Sequence, residues 1–331
     1  MIVPAGERLP LGVITGFLGS GKTTLLNRLL HDPRLADSAV LVNELGEIGL
    51  DHWLIEPIDA ETVLLPSGCV CCTVRAELRD ALIELWTKRA QGLLPPFRRE
   101  ILDTTGLADP APIAQTLAAD PRLRHHFSLG TIVTVVDALT GPATILEHDE
   151  AVHQVAAADL LAISKLDLAA PEVAEALEGQ LTAINPAAEV TALWPVGPVT
   201  AVSTALLAAT LPHAAHIRST VHHDHLAHGR VGAVCLTTDE PLDWAAFAVW
   251  FTLLLHRHGR NVLRSKGILN LRGVPTPVVV HGVQHVVHRP YHLASWPEGR
   301  PLTRLVLIGK DLPSAQLRRS FETFVRPGQT L

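Results

Sequence analysis

The stretch Gly16-Phe17-Leu18-Gly19-Ser20-Gly21-Lys22-Thr23 decides the fold, because it matches GxxxxGK[ST] at every fixed position. It follows the apolar run LGVIT and precedes TLLNRLL, which has the apolar spacing of a helix. A glycine-rich loop between a strand and a helix is the context in which this motif binds phosphate. The glycines let backbone N–H groups turn toward phosphate oxygens, and the helix adds the positive end of its dipole. We therefore predict a phosphate-binding loop; the alternative is a glycine-rich turn that binds nothing.

The side chains of this loop suit a nucleotide with Mg²⁺. The Lys22 ammonium would reach the β- and γ-phosphates, and the Thr23 hydroxyl would coordinate Mg²⁺. We count both among the catalytic residues. The residues that we expect to bind the phosphates are Gly19, Ser20, Gly21, Lys22, Thr23 and Thr24.

Short apolar runs alternate with helical patterns from residue 11 to about residue 207. The runs predicted to be buried strands are LGVIT, AVLVN, EILD, GTIVTVVD, DLLAIS and EVTAL. This alternation predicts an α/β fold with a doubly wound, mostly parallel sheet of the P-loop NTPase type. Ligands of such sheets bind at the carboxyl ends of the strands, so the segments that follow these strands should share one site.

The sequence pattern changes after residue 211. Residues 213–228, HAAHIRSTVHHDHLAH, carry six histidines in sixteen positions, and the regular alternation ends there. We predict a nucleotide-binding domain over residues 1–211, a histidine-rich linker over 212–229 and a smaller α+β domain over 230–331. The linker histidines would either collect a transition metal or bind metal only incidentally.

The segment Ser164-Lys165-Leu166-Asp167 indicates which base is bound. P-loop GTPases carry [NT]KxD at the end of a late strand, and the strand-like residues 159–163, apolar from Leu160 onward, come directly before this segment. The Asp167 carboxylate would accept hydrogen bonds from guanine N1 and the exocyclic amine, while the Lys165 stem stacks along the base. Ser164 replaces the usual Asn. We predict guanine rather than adenine; the alternative is a solvated helix start.

Asp103 ends the strand EILD, and the segment Asp103-Thr104-Thr105-Gly106 supplies the second acid of the site. An Asp at a strand end suits Mg²⁺, directly or through water, and makes Asp103 a third catalytic candidate. The Gly106 N–H would contact the γ-phosphate. The alternative role for Asp103 is to cap a helix that begins near Asp109.

Composition and net charge give no support to several classes of partner. The 331 residues are 47% hydrophobic and 18% charged, with a formal net charge of −6. The length suggests about two domains, and the acidic balance gives no reason to expect nucleic acid or an anionic membrane. The first residues lack the pattern of a signal peptide, and no apolar run reaches the roughly 18–20 residues of a membrane helix. We expect a cytoplasmic protein with reduced thiols.

Three of the four cysteines lie within PSGCVCCT, at Cys69, Cys71 and Cys72. Soft thiolates suit Zn²⁺, Co²⁺ or Cu(I) rather than Mg²⁺ or Ca²⁺. In an extended backbone Cys72 points away from the other two, so the segment must bend to bring all three thiolates onto one ion. Buried structural cysteines and a redox pair remain as alternatives, the latter weakened by the absence of CxxC.

The segment NELGEIG, residues 43–49, follows the second predicted strand, where P-loop GTPases place a switch segment. Glu44 or Glu47 would contact Mg²⁺ or a transition metal held by the cysteines. Each is equally well explained as a solvated acid of a loop.

GFLGSGKTT, NELGEIGLD, GCVCCTVR, DTTGLADP and SKLD occur in this order, and together they resemble the CobW-type GTPases, relatives of UreG and HypB. Beyond the linker, LRSKGILNLRG and LVLIGKDL resemble the C-terminal domain of that family. The resemblance implies a GTPase that binds a transition metal through CxCC and delivers it to an apo-enzyme or a cofactor pathway. Two positions differ from the family pattern: Asp103 stands where Glu is common, and Ser164 where Asn is frequent.

These observations predict a GTP-hydrolysing metallochaperone that holds Zn²⁺ or Co²⁺ on the CxCC thiolates in its GTP–Mg²⁺ state. Its partners would be GTP, the metal ion and a client metalloprotein or cofactor-synthesis enzyme, and we also consider a nucleotide-dependent dimer. One alternative is a metal-storage or metal-sensing module that nucleotide only gates. Another is an ATP-dependent small-molecule kinase, which SKLD argues against.

Overall fold

The computed structural model describes residues 8–42, 62–64, 73–208, 231–297 and 299–325. The chain forms two compact units. One comprises residues 1–154, 158–177 and 190–212; the other comprises 155–157, 178–189 and 213–331. The predicted domain boundaries near 211 and 230 fall outside the described residues and stay predictions.

A seven-stranded sheet in the order β3-β2-β4-β1-β5-β6-β7 contains the predicted strands. The ladders that join β3 to β2, β2 to β4, β4 to β1, β1 to β5 and β5 to β6 are all parallel. The strands are β1 Leu9–Thr15, β2 Ser38–Val42, β3 Thr62–Leu64, β4 Arg99–Asp103, β5 Phe127–Asp137, β6 Leu160–Ser164 and β7 Glu189–Ala192. The predicted doubly wound, mostly parallel sheet is confirmed.

Helices connect these strands. They are α1 Lys22–Leu30, α2 Thr73–Ala90, α3 Ala111–Ala119, α4 Pro121–His126, α5 Gly141–Glu147, α6 Asp149–Ala157, α7 Pro171–Ile184 and α8 Thr200–Leu207, with a 3₁₀ helix at Pro33–Leu35. Side chains fix several of the starts: the Asp120 carboxylate accepts from the backbone N–H groups of Arg122 and Leu123 at the head of α4.

The apolar face of α1 fixes the position of the phosphate loop. Leu25, Leu26 and Leu29 are buried against strand residues such as Ile14 and Val133. Each buried leucine contributes about 1.5–3 kcal/mol through the apolar area that it removes from water. The first turn of α1 is thereby held at the carboxyl end of β1, where residues 16–21 connect the two elements.

The second unit contains an antiparallel sheet in the order β11-β10-β9-β13-β8, with β12 paired to β10. Its strands are β8 Val231–Thr238, β9 Val262–Leu269, β10 Val278–Val283, β11 Val286–Val287, β12 Tyr291–His292 and β13 Thr303–Lys310. Helices α9 Trp244–His258 and α10 Ser314–Val325 bury Phe247, Trp250 and Phe321 in its core. The predicted smaller α+β domain is confirmed.

Among the described residues, no helix combines the length and the apolar composition that crossing a bilayer requires.

Candidate nucleotide site

The backbone of the loop between β1 and α1 depends on its glycines. Gly16, Gly19 and Gly21 have φ angles of 142°, 73° and 98°, a region that other residues enter only with strain. A Cβ on Gly16 would also lie 2.2 Å from the carbonyl oxygen of Val135. The predicted strand, loop and helix are therefore all present, and the glycine spacing is required by the shape of the loop.

The Lys22 ammonium lies over this loop. Its Nζ donates to the carbonyl oxygens of Gly16 at 2.8 Å and Phe17 at 3.0 Å. The charge is thus held inside the turn that the glycines make, where it complements the N–H groups at the start of α1 in attracting an anion. This arrangement suits a phosphate group.

Ser164 connects the segment predicted to read the base to the phosphate loop. Its hydroxyl donates to the carbonyl oxygen of Ser20 at 2.6 Å, and both residues are buried. The link joins the end of β6 to the start of α1, although the two residues are 144 positions apart. A serine at the position where the family frequently has Asn therefore still contacts the phosphate loop.

Lys165 and Asp167 lie in the turn after β6. Lys165 has a left-handed backbone, with φ of 56°, and its ammonium forms an ion pair with the buried carboxylate of Asp137 at the end of β5. Burial alone raises the pKa of the Asp137 carboxyl, but hydrogen bonds from Lys165 and from the backbone of Leu139 outweigh this, and the net pKa lies below its ordinary value. Asp167 is exposed.

Asp103 ends β4 beside the last residues of β1. It pairs in register with Ile14, and the next residue, Thr104, donates its N–H to the Ile14 carbonyl at 3.0 Å. The Thr104 hydroxyl also donates to the Thr15 hydroxyl at 3.0 Å. The acid is thus buried where the phosphate loop begins.

Gly106 lies directly against the phosphate loop. A Cβ at this position would come within 2.7 Å of the backbone nitrogen of Leu18 and 2.8 Å of its Cα. Only glycine allows this approach. The segment after β4 therefore touches the loop at the residue that we predict senses the γ-phosphate.

The donor set at this edge fits Mg²⁺. The Thr23 hydroxyl and the Asp103 carboxylate are hard oxygen donors, and Mg²⁺ in nucleotide sites takes one or two protein ligands beside phosphate oxygens and water. No group of three or more His, Cys, Asp or Glu side chains among the described residues is arranged to hold a metal ion. The Mg²⁺ assignments to Thr23 and Asp103 stay predictions.

Several predicted residues lie outside the described part of the chain. They are Glu44, Glu47, Cys69, Cys71, Cys72 and the linker histidines. The described elements on either side of the cysteines are β3, which ends at Leu64, and α2, which begins at Thr73.

Sequence reasoning did not single out Asp137 or Arg28. Asp137 had a signal, because it ends the predicted strand GTIVTVVD and so belongs to the ligand-binding edge. Arg28 had none: it lies in α1 and donates to the carbonyl oxygens of Trp194 at 2.6 Å and Gly197 at 2.8 Å, in the segment after β7.

Comparisons with known proteins agree with this geometry. Residues 10–192 match the family model of the CobW/HypB/UreG nucleotide-binding domain, and residues 231–325 match that of the cobalamin synthesis protein cobW C-terminal domain. The zinc chaperone YjiA of Escherichia coli strain K12 is 31% identical over 316 residues, which cover 93% of this chain and 96% of YjiA. The zinc chaperone CobW of Pseudomonas aeruginosa is 28% identical, over 96% of this chain and 91% of that protein.

A solved structure supports the fold. The crystal structure of Zn(II)-bound YjiA GTPase from E. coli has a TM-score of 0.72 at 24% identity and covers 97% of this chain and 100% of the other. The two family matches together span most of the chain and confirm the resemblance that the motifs indicated. The chain therefore belongs to the CobW/HypB/UreG family of P-loop GTPases, and it carries the CobW C-terminal domain.

Proposed function

We propose that this protein is a GTP-hydrolysing metallochaperone that holds Zn²⁺ or Co²⁺ on Cys69, Cys71 and Cys72 in its GTP–Mg²⁺ state. Hydrolysis would release the ion to a client metalloprotein or to an enzyme of cofactor synthesis. The metal is cargo rather than a resident cofactor. Because a thiolate site needs reduced cysteines, we place the protein in the cytoplasm.

The hydrogen bond from Ser164 to Ser20 carries the nucleotide part of the proposal. It joins the phosphate loop to the segment whose Lys165 and Asp167 would read guanine, so one ligand would contact both. GTP, with phosphates at one end and guanine at the other, has the chemistry that both segments require.

The parallel sheet supports a link between nucleotide and cargo. β3 pairs with β2 in parallel register, so the chain leaves β3 at the edge that also carries the phosphate loop. Cys69 follows the last residue of β3 by five positions in the sequence. The relatives named zinc chaperones extend over nearly the whole chain, which favours Zn²⁺ as the first ion to test.

Each of the described site residues would have a separate role in GTP hydrolysis. Lys22 and the N–H groups of the phosphate loop would stabilise the charge that develops on the transferred phosphoryl group. Mg²⁺, when bound, would neutralise charge on the β- and γ-phosphates, with Thr23 and Asp103 as its protein ligands. Gly106 would detect the γ-phosphate and change position when that group leaves.

A metal titration tests the proposal. The chain should bind one Zn²⁺ or Co²⁺ more tightly with Mg²⁺ and a non-hydrolysable GTP analogue than with GDP, and by linkage the metal should tighten binding of the analogue by the same factor. Replacing Cys69, Cys71 and Cys72 with serine should abolish this site, whereas Cys235→Ser in β8 is the matched control and should retain it. Equal metal affinity in both nucleotide states would contradict the proposal.

Assays of GTP hydrolysis distinguish the proposed metallochaperone from a storage or sensing module and from a kinase. The chain should hydrolyse GTP, and Lys22→Ala should abolish hydrolysis and metal release. Metal binding and release that persist without turnover would indicate a storage or sensing module. Preference for ATP and transfer of its phosphate to a small molecule would indicate a kinase.

A further inference from the structure

The side-chain amide of Gln154 holds the segment that follows β4. Gln154 lies in α6 and is 1% exposed, and its Nε2 donates to the carbonyl oxygens of Gly106 at 3.1 Å and Ala108 at 3.0 Å. One buried amide group thus contacts two peptide groups of the same short loop. Buried carbonyl groups that lose their donor destabilise the conformation that buries them.

The position of Gln154 is itself fixed from the other side. The buried hydroxyl of Thr134, in β5, donates to the backbone carbonyl of Gln154 at 2.9 Å. The neighbouring residue His153 contacts the same loop, with 3.3 Å between its Nδ1 and Asp109 Oδ2. Helix α6 is therefore anchored on the sheet and reaches the loop through two consecutive side chains.

The loop is held between α6 and the phosphate loop. Gly106 accepts from Gln154 on one side and lies against the backbone of Leu18 on the other. The Gly106 N–H belongs to the adjoining peptide group, and its direction depends on the φ and ψ angles of Gly106, which the contacts on both sides of this residue restrict. The residue after it, Leu107, is exposed and has no polar side-chain atom with which to hold the loop.

We propose that Gln154 is a positioning residue for recognition of the γ-phosphate. By fixing the carbonyl groups of Gly106 and Ala108, it keeps the loop in the conformation that distinguishes GTP from GDP. This inference rests on the proposed function in one respect, namely that the site binds guanine nucleotides. Gln154 lies outside the phosphate loop, the DTTG segment and the SKLD segment, so the inference assigns a nucleotide-related role to a residue that none of these motifs contains.

Nucleotide affinities measured separately for GDP and for a non-hydrolysable GTP analogue, both with Mg²⁺, test the inference. Gln154→Met keeps the length of the side chain and removes both N–H donors. It should weaken binding of the GTP analogue about tenfold, because part of the stabilisation from the two lost hydrogen bonds supports the GTP-bound loop, and it should leave GDP affinity within about twofold. Glu150→Gln, at an exposed position of the same helix, is the control and should leave both affinities unchanged.

If the variant loses the same affinity for GDP and for the GTP analogue, or loses none, the inference is wrong. A purely structural role of Gln154 predicts no selective loss of affinity for the triphosphate. If Gln154→Met has no cooperative thermal transition, Gln154→Asn, whose shorter amide retains the donors but withdraws them from the loop, should give the same selective loss. If the unmodified chain binds neither nucleotide, the proposed function fails and this inference with it. If the unmodified chain distinguishes the two nucleotides and the variants do so equally well, this inference alone fails.

Discussion

The Ser164 hydroxyl donates to the Ser20 carbonyl at 2.6 Å and joins the end of β6 to the phosphate loop. Because both residues are buried, loss of this hydrogen bond leaves the Ser20 carbonyl without its donor inside the protein. The orientation of the phosphate loop and the position of the turn after β6 therefore depend on the same hydroxyl.

Removal of this hydroxyl should weaken nucleotide binding. We expect Ser164→Ala to lower GDP affinity about three- to tenfold, the range for loss of a neutral hydrogen bond to a buried carbonyl. Ser164→Asn, which supplies an N–H donor from a longer side chain, should retain more affinity than Ser164→Ala. Equilibrium binding of a fluorescent GDP measures both, and unchanged affinity in Ser164→Ala would contradict the proposed role.

Much of this site was predictable because its parts are local in sequence. The phosphate loop, the acid Asp103 and the SKLD segment each lie at the end of an apolar strand, and parallel strands bring their carboxyl ends to one edge. The contacts between these parts were not predictable in the same way. Arg28 and Trp194 are 166 residues apart, and their contact depends on helix orientation and loop shape, which carry no periodic signal.

Glu100 shows a second limit of sequence reasoning. EILD was correctly predicted to be a buried strand, but the pattern gave no indication that its carboxylate is 0% exposed. Burial of a charged group has no compositional signal when the neighbouring residues are apolar. Only the structure reveals it.

Arg28 should act on nucleotide affinity through the segment after β7. That segment begins beside the turn after β6, which we propose reads the base, since the Leu193 N–H donates to the Ile163 carbonyl at 2.8 Å. Arg28 holds it through two backbone carbonyls, which a lysine ammonium cannot span with the same planar geometry. Arg28→Lys should therefore lower GDP affinity about fivefold, with little change in kcat at saturating GTP.

Arg34→Lys is the matched control for Arg28→Lys. Arg34 lies in the adjacent 3₁₀ helix and pairs with Asp32 rather than with the segment after β7. Its substitution should leave nucleotide affinity unchanged. An equal loss of GDP affinity in Arg28→Lys and Arg34→Lys would show that the two carbonyl contacts of Arg28 do not determine the affinity.

A methyl group at Gly106 should separate the DTTG segment from the phosphate loop. The Cβ of Gly106→Ala would overlap the backbone of Leu18, which cannot move aside as a flexible side chain would. We expect a loss of at least tenfold in affinity for a non-hydrolysable GTP analogue, and a smaller effect on GDP. Gly179→Ala in α7 is the control: apart from the adjoining residues and the helix backbone, no atom of the described residues lies within 4 Å of a Cβ placed there. It should stabilise the fold by about 0.5–1 kcal/mol.

The buried Glu100 should make stability depend on pH. Burial raises the pKa of its carboxyl well above the ordinary value, and the opposing charge of Arg89 does not offset this. Neither carboxylate oxygen has a hydrogen-bond partner among the described residues. The folded protein therefore binds a proton at pH values where the unfolded chain has released it.

The sign of the effect follows from this difference in bound protons. The favourable contribution of protonated Glu100 is complete below the unfolded pKa, near 4.5, and is lost as the pH rises toward the folded pKa. Glu100→Gln, which cannot ionise, should raise the free energy of unfolding at pH 8, because it removes the cost of keeping an acidic group in this buried position. At pH 4 its effect should be smaller.

Urea denaturation of the unmodified protein and of Glu100→Gln at pH 4 and pH 8 measures the change in the free energy of unfolding at each pH. Glu175→Gln, an exposed position of α7, removes the same charge without burial and should change stability little at either pH. If Glu100→Gln changes stability equally at both pH values, folding does not raise the pKa of the carboxyl. The gain would then come from the amide itself.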